Sequence, residues 1–172
     1  MTITVPHVEF VFRENGEFVT KTSSDLFDGK RVVLFALPGA FTPTCSTYQL
    51  PGFEEKYDEF VSLGIDDIYC LSVNDGFVMN AWAKELGIEK VKLIPDGSCH
   101  FTRSLNMDVL KSNVGFGIRS WRYAAIINNG IVEKFFVEDG QSDNVENDPY
   151  EESTPEKVLE YVKLNVKQTE NV

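Results

Sequence analysis

The chain has 172 residues, 42% of them apolar and 25% charged, which suits one globular domain with a real core and excludes a disordered segment. Its net charge of −11 argues against nucleic acid and against anionic membranes, both of which are held through Lys and Arg; the acidity is read as a solvated surface. No apolar run is long enough to span a bilayer, and residues 1–13 lack a basic stretch followed by an apolar one, so the expected compartment is the cytoplasm.

Two strand-like runs at residues 8–11 and 18–21 flank Glu14-Asn15-Gly16, whose Asn-Gly pair signals a hairpin turn. Residues 23–27 suit a single helical turn closed by Asp28-Gly29. Arg31-Val32-Val33-Leu34-Phe35-Ala36 reads as a buried strand. A helical pattern covers residues 46–63, with Phe53, Tyr57, Phe60 and Val61 on one face. A kink or break is expected at Pro51-Gly52, because proline removes a backbone donor. Residues 67–73 form the next strand, with Cys70 as a core residue. Asn74-Asp75 can cap a helix whose apolar face is Phe77, Val78, Ala81, Trp82 and Leu86, and Gly87 ends it. A short strand at 91–94 stops at Pro95-Asp96-Gly97, residues 98–105 suit a helix, and residues 111–117 read as loop. Strands at 121–128 and 131–137 form a hairpin across Asn129-Gly130. Residues 137–153 are polar and acidic and read as a long surface loop. Thr154 and Pro155 start a last helix with Val158, Leu159, Val162 and Val166 as its buried stripe, and the tail after Gln168 is expected to fray. Strands alternate with helices and a hairpin comes late. The fold class is therefore α/β, a central mixed sheet flanked by helices with an N-terminal hairpin, in one domain over residues 1–172.

The chemistry-bearing stretch is Pro38-Gly39-Ala40-Phe41-Thr42-Pro43-Thr44-Cys45, between the strand at 31–36 and the helical run. A cysteine at a strand-to-helix junction lies where helix N–H groups favour an anion, and the thiolate is the reactive form of the side chain. The other reading is a tight turn with a half-buried cysteine. The remaining cysteines are Cys70 and Cys99; the odd total of three and the long spacings argue against a disulfide framework. His7 and His100 are far apart, and Cys99-His100 has no second pair to complete a zinc site, so no metal or other cofactor is expected.

Pro38-x-x-x-Thr42-x-x-Cys45 has the spacing of the peroxiredoxin active-site motif. Together with Leu50-Pro51-Gly52-Phe53, Cys70-Leu71-Ser72-Val73-Asn74-Asp75 and Trp121-Arg122-Tyr123, it resembles the type II, or peroxiredoxin-5-like, subfamily over residues 5–163. The resemblance implies a thioredoxin-like fold, a homodimer, and a thiol peroxidase for hydrogen peroxide and alkyl hydroperoxides. It makes Cys45 the peroxidatic cysteine, Thr42 its hydroxyl partner, Pro38 the shield over the site and Arg122 the guanidinium that completes the pocket. Each residue type suits the chemistry. A thiolate attacks one peroxide oxygen and becomes a sulfenic acid, and Arg122 and the Thr42 hydroxyl are donors for the charge on the leaving oxygen. Arg119, three residues from Arg122, would face the other way on a straight strand and reads as a surface or salt-bridge residue, or as a support for Arg122 or a nearby carboxylate. Many relatives carry a resolving cysteine near the C-terminus, whereas nothing after residue 99 here is Cys. Cys99 reads as an unpaired surface thiol. The implied cycle therefore uses one cysteine, with glutathione, with or without glutaredoxin, as reductant (thioredoxin being the other candidate); the glutaredoxin domain fused to some bacterial relatives is absent here.

Two other functions were weighed. A thiol–disulfide oxidoreductase of the same fold would want a second Cys where Thr42 stands. A chaperone or redox-signalling module would not need Pro38, Thr42, Cys45 and Arg122 together.

Overall fold

The computed structural model describes residues 1–166. Strands β1 (Glu9–Glu14) and β2 (Glu17–Thr22) pair antiparallel. Asn15 and Gly16 between them both take positive φ (51° and 77°), the conformation a two-residue hairpin needs. Helix α1 (Ser23–Phe27) starts on a capping box between Thr22 and Asp25.

The central sheet is built from β3 (Arg31–Ala36), β4 (Asp67–Ser72), β5 (Lys92–Pro95), β8 (Tyr123–Asn128) and β9 (Ile131–Val137), in the order β5-β4-β3-β8-β9. The β3, β4 and β5 strands run parallel, while β8 and β9 run antiparallel to their neighbours, so the sheet is mixed as expected. Every residue of β3 is buried, because both faces are covered. Val33 and Phe35 point into one core, which also holds Cys45, Phe53, Phe60, Trp82 and Val158. Val32, Leu34 and Ala36 point into the other, with Phe10, Phe27, Tyr69, Phe101 and Tyr123.

Helices α2 (Leu50–Glu55), α3 (Tyr57–Ser62), α4 (Gly76–Leu86) and α6 (Pro155–Leu164) cover the first face. Helix α5 (His100–Ser104) covers the second, through Phe101. The capping signals hold. Asp75 accepts from Val78 N, Thr154 accepts from Lys157 N, and Gly87 ends α4 in the left-handed region.

Several expectations need correcting. The helical run does not break at Pro51-Gly52. It is continuous from Pro43 to Glu55, through a π turn at Cys45–Gln49, and breaks at Lys56. The π turn lets Leu50 N reach back to Cys45 O, a widening immediately before the donor that Pro51 lacks. Gly52 serves close packing, since a Cβ there would lie 2.9 Å from the Pro155 ring. The 111–117 loop lies within a small hairpin, β6 (Asp108–Leu110) and β7 (Ile118–Ser120), around a turn of 3-10 helix at Ser112–Val114. Phe77 and Val166 are exposed; α4 buries Met79 and Trp82, and α6 buries Val158, Leu159 and Val162. Cys99 is buried, not a surface thiol; it precedes α5 in a left-handed conformation (φ 63°). The expectation for the tail after Gln168 lies outside the described residues.

Phe53 is fully buried, with its ring stacked on Phe35 at 4.2 Å, and it joins the active-site helix to the sheet. Phe53→Ala is expected to cost about 3–5 kcal/mol of stability in urea unfolding; a loss under about 1 kcal/mol would mean that the helix is held elsewhere.

Candidate active site

Strand β3 delivers the chain to the carboxyl edge of the parallel strands, where open α/β sheets place their sites. Leu37 N still bonds Leu71 O (3.3 Å), and then the chain leaves the sheet. The turn that follows is fastened on both sides. Ala40 N donates to Asn74 Oδ1 (3.0 Å), which also receives the Ser72 hydroxyl (2.6 Å). Phe41 takes φ 63°, an uncommon conformation for an aromatic residue, and its ring is exposed. The Thr42 hydroxyl donates to Gly39 O (2.7 Å), and Thr42 O accepts the first helical bond, from Ser46 N (2.9 Å). Pro43 is therefore the first helical residue, where its missing donor costs nothing, and Cys45 is the third. Trp82 Nε1 donates to Ser46 Oγ (2.7 Å) and fixes the first turn against α4.

Cys45 is fully buried and Arg122 is 1% exposed. Arg122 lies in the irregular link between β7 and β8. Its Nη1 donates to Cys45 Sγ at 3.4 Å and to Gln49 Oε1 in a short bond. Its Nη2 donates to both carboxylate oxygens of Asp148 (2.7 and 2.6 Å). The Tyr150 ring lies 5.6 Å from the guanidinium carbon, and Nε has no partner among the described residues. Burial pulls the guanidinium pKa down, but the Cys45 sulfur and the Asp148 carboxylate outweigh it, and the pKa lies above its ordinary value. Arg122 stays charged.

The four residues singled out in the sequence converge here. Cys45 and Arg122 touch, while Pro38 and Thr42 line the cleft at the mouth. The Thr42 hydroxyl has its proton on Gly39 O, so what it offers the site is its lone pairs. Gln49 and Asp148 escaped the sequence reading. Gln49 had a signal, being four residues after Cys45 on a helix. Asp148 had none, because only the fold brings residue 148 to residue 122. Arg119 is not an exposed surface residue, and among the described residues it is not half of a salt bridge. It is partly buried, with Nη1 on Pro38 O (2.9 Å) and Nε on Phe116 O (3.2 Å), and it braces the turn that carries Pro38.

Residues 4–153 match the Redoxin family model. A peroxiredoxin of Sinorhizobium fredii is 59% identical over 165 residues, covering 91% of this chain and 88% of its own. The crystal structure of a Plasmodium falciparum antioxidant protein, described as a 1-Cys peroxiredoxin, superposes with a TM-score of 0.91 at 43% identity, covering 95% of this chain and 98% of its own. Reduced Prx3 from Vibrio vulnificus in complex with hydrogen peroxide does so at 0.84 and 37%, over 93% and 96%. The chain belongs to the peroxiredoxins. Its fold is the thioredoxin-like one that the resemblance implied, and as a peroxiredoxin it is a peroxide-reducing oxidoreductase that works with a thiol reductant.

In this peroxiredoxin the polar segment at 138–153 is the expected surface loop, most of it exposed, but it is pinned from inside as a strap at Glu138 and Ser153. The Glu138 carboxylate is buried and accepts the N–H groups of Glu151, Glu152 and Ser153 (2.7–3.0 Å) and the Ser153 hydroxyl (2.7 Å). Glu138 O receives Trp121 Nε1 (2.7 Å), and Gln49 Nε2 donates to Ser153 O (3.4 Å) and Oγ (3.3 Å). The strap thereby carries Asp148 and Tyr150 to Arg122.

Burial pushes the Glu138 carboxyl up, but the bonds from Ser153, Glu152 and Glu151 outweigh it and hold the pKa below its ordinary 4.5. Its stabilising contribution is therefore present above pH 4.5 and is lost as pH falls through the lower folded value. Hydrogen exchange at the amides of residues 151–153 is expected to be slow at neutral pH, to speed up below the ordinary carboxyl range beyond the intrinsic pH trend, and to be fast at neutral pH in Glu138→Gln. Equal protection in parent and variant would contradict this role.

Proposed function

We propose that Cys45 is the peroxidatic nucleophile of a one-cysteine cycle. The observation that carries this is the buried, charged Arg122 donating to Cys45 Sγ at 3.4 Å. A guanidinium held against the sulfur is a charged donor fixed beside the atom that would attack. The thiolate attacks the terminal oxygen of a hydroperoxide. An S–O bond forms, the O–O bond breaks with its electron pair on the departing alkoxide or hydroxide, and Cys45 becomes a sulfenic acid. The departing oxygen takes a proton from solvent. The sulfur loses two electrons and the peroxide gains them.

Arg122 is positioned in advance by Gln49 and Asp148, so it need not reorganise as charge develops. Its Nε, free of any partner among the described residues, is a donor available to a peroxide oxygen. Thr42 Oγ1, with its own proton on Gly39 O, accepts the O–H of the incoming hydroperoxide and so orients it. Pro38 limits water at the sulfur.

The one-cysteine cycle is supported by where the other thiols lie. Cys70 is fully buried in mid-strand. Burial pushes its thiol well up, and Cys45 adds to this while Arg122 opposes it. Cys99 is buried before α5, which packs on the other face of the sheet, and burial and Asp96 push its thiol up. An external thiol then reduces the sulfenic acid: glutathione attacks the sulfur, water leaves, and a second thiol releases Cys45. The 1-Cys description of the Plasmodium falciparum protein fits this cycle. The chain acts as one domain, as a homodimer in the reducing cytoplasm; exposed Phe41, Tyr48 and Phe77 are apolar residues available to an interface.

Stopped-flow mixing of reduced protein with hydrogen peroxide tests this. Cys45→Ser is expected to consume no peroxide, and Arg122→Met to react at least about tenfold more slowly, roughly 1.4 kcal/mol of lost transition-state stabilisation. Peroxide consumption by Cys45→Ser at the parent rate would refute the proposal. An unchanged rate in Arg122→Met would move the guanidinium role to Arg119.

A further inference from the structure

We infer that the cleft at the mouth of the site is a subsite for a carboxylate, so that the enzyme favours small organic hydroperoxides that carry one. The inference rests on Cys45 being the nucleophile. The cleft has a volume of about 230 Å³ and lies between the turn carrying Pro38, Thr42 and Thr44 and a wall of Lys111, Val114 and Phe116; strap residues 145–148 close its end. It shares Pro38, Thr42 and Asp148 with the site.

Lys111 is the feature that needs a ligand. It is 6% exposed, and its backbone is fixed by Lys111 N on Gly117 O (2.7 Å) and Phe116 N on Lys111 O (3.0 Å). Among the described residues its ammonium has neither a salt-bridge partner nor a hydrogen-bond acceptor. The side chain is buried along its stem, and its cation has no anion to pair with among the described residues. The two carboxylates on the cleft do not answer it: Asp148 is taken by Arg122, and Glu146 is exposed. Two further features lie beside it. The helical run from Pro43 to Glu55 presents its N-terminal end at Thr44, and Arg119 pairs only with the carbonyls of Pro38 and Phe116. On a chain of net charge −11, the cleft is lined by one cation without a carboxylate partner among the described residues, Lys111, with Arg119 bracing the turn beside it.

The remaining walls are apolar: Pro38, Pro43, Val114 and Phe116. A volume of about 230 Å³ holds roughly eight groups of water size at about 30 Å³ each. That suits a short carbon chain with a carboxylate at Lys111 and its hydroperoxide end at Thr42, on the turn that leads to Cys45. The chemistry at sulfur is that of the proposed cycle, and the departing alkoxide takes a proton from solvent and leaves as a hydroxy acid.

The test compares a small tertiary hydroperoxide bearing a carboxylate with its methyl ester, through the rate constants for Cys45 oxidation. In the parent the acid is expected to react at least about fivefold faster than the ester. That ratio should fall towards one in Lys111→Met and be kept in Lys111→Arg. Hexanoate, which cannot react, should slow oxidation by the acid competitively in the parent. An acid that reacts no faster than its ester in the parent, or a ratio unchanged in Lys111→Met, would overturn the inference. So would a Lys111→Met that leaves the ratio intact but slows reduction by glutathione relative to a neutral thiol, since the carboxylate would then belong to the reductant. Hydrogen peroxide run on the parent is the separate control: if it does not oxidise Cys45, the underlying assignment has failed rather than the subsite.

Discussion

A full positive charge sits almost out of reach of water at Arg122, and the rest of the site answers it. A buried guanidinium is tolerated only when its donors are met. Three groups meet them, from two parts of the chain: Cys45 and Gln49 from the helical run after β3, and Asp148 from the strap after β9. Asp148 is in place because the strap is pinned by Glu138, whose carboxylate gathers three successive backbone amides near the start of α6. A segment rich in polar and acidic residues is thus ordered from within by one buried carboxylate. Arg122 Nε is left over, buried and unsatisfied among the described residues, on the guanidinium whose Nη1 donates to Cys45 Sγ. Unmade bonds to buried donors are rare in native proteins, and one beside a nucleophile fits a donor kept for a substrate oxygen.

The thiol itself is placed by the sheet. The turn at residues 37–42 hangs between the end of β3 and the first turn of the helix. It is tied to Asn74 at the end of β4 and, through Ser46, to Trp82 of α4. Arg119 braces it from the β6–β7 hairpin through Pro38 O. Three non-adjacent parts of the chain thus hold one turn, which accounts for diagnostic residues scattered from Pro38 to Arg122. Gly39 is one such constraint: a Cβ there would fall 2.2 Å from the Arg119 guanidinium nitrogen, so the brace can approach only a glycine.

Much of this was legible in the sequence where the signal is local. The β3 strand, the caps at Asp75 and Thr154, the Asn-Gly turns and the Cys45 mount all depend on residues within one turn of each other. Arg122 was legible only through resemblance, because strand periodicity does not apply in the irregular link where it stands. The failures were non-local. Pro51 looks like a break until the π turn before it absorbs the lost donor. Strands β6 and β7 have three residues each, too short for a period to show. Cys99 follows turn-forming residues, which say nothing about the α5 residues that bury it. The strap was legible as a solvated loop, but its pinning was not, because that depends on Glu138, Asp148 and Ser153 finding partners far from them in sequence.

The burial of all three thiols frames the catalytic cycle. A neighbouring cysteine can resolve Cys45 only if the packing around both gives way. The most direct measurement is mass spectrometry of the reduced protein after one equivalent of hydrogen peroxide, quenched in milliseconds with a sulfenic-acid trap. The account predicts one trapped oxygen, on Cys45, with Cys70 and Cys99 still free thiols. Oxygen found first on another cysteine, or a disulfide joining Cys45 to Cys70 or Cys99 within one chain, would contradict it.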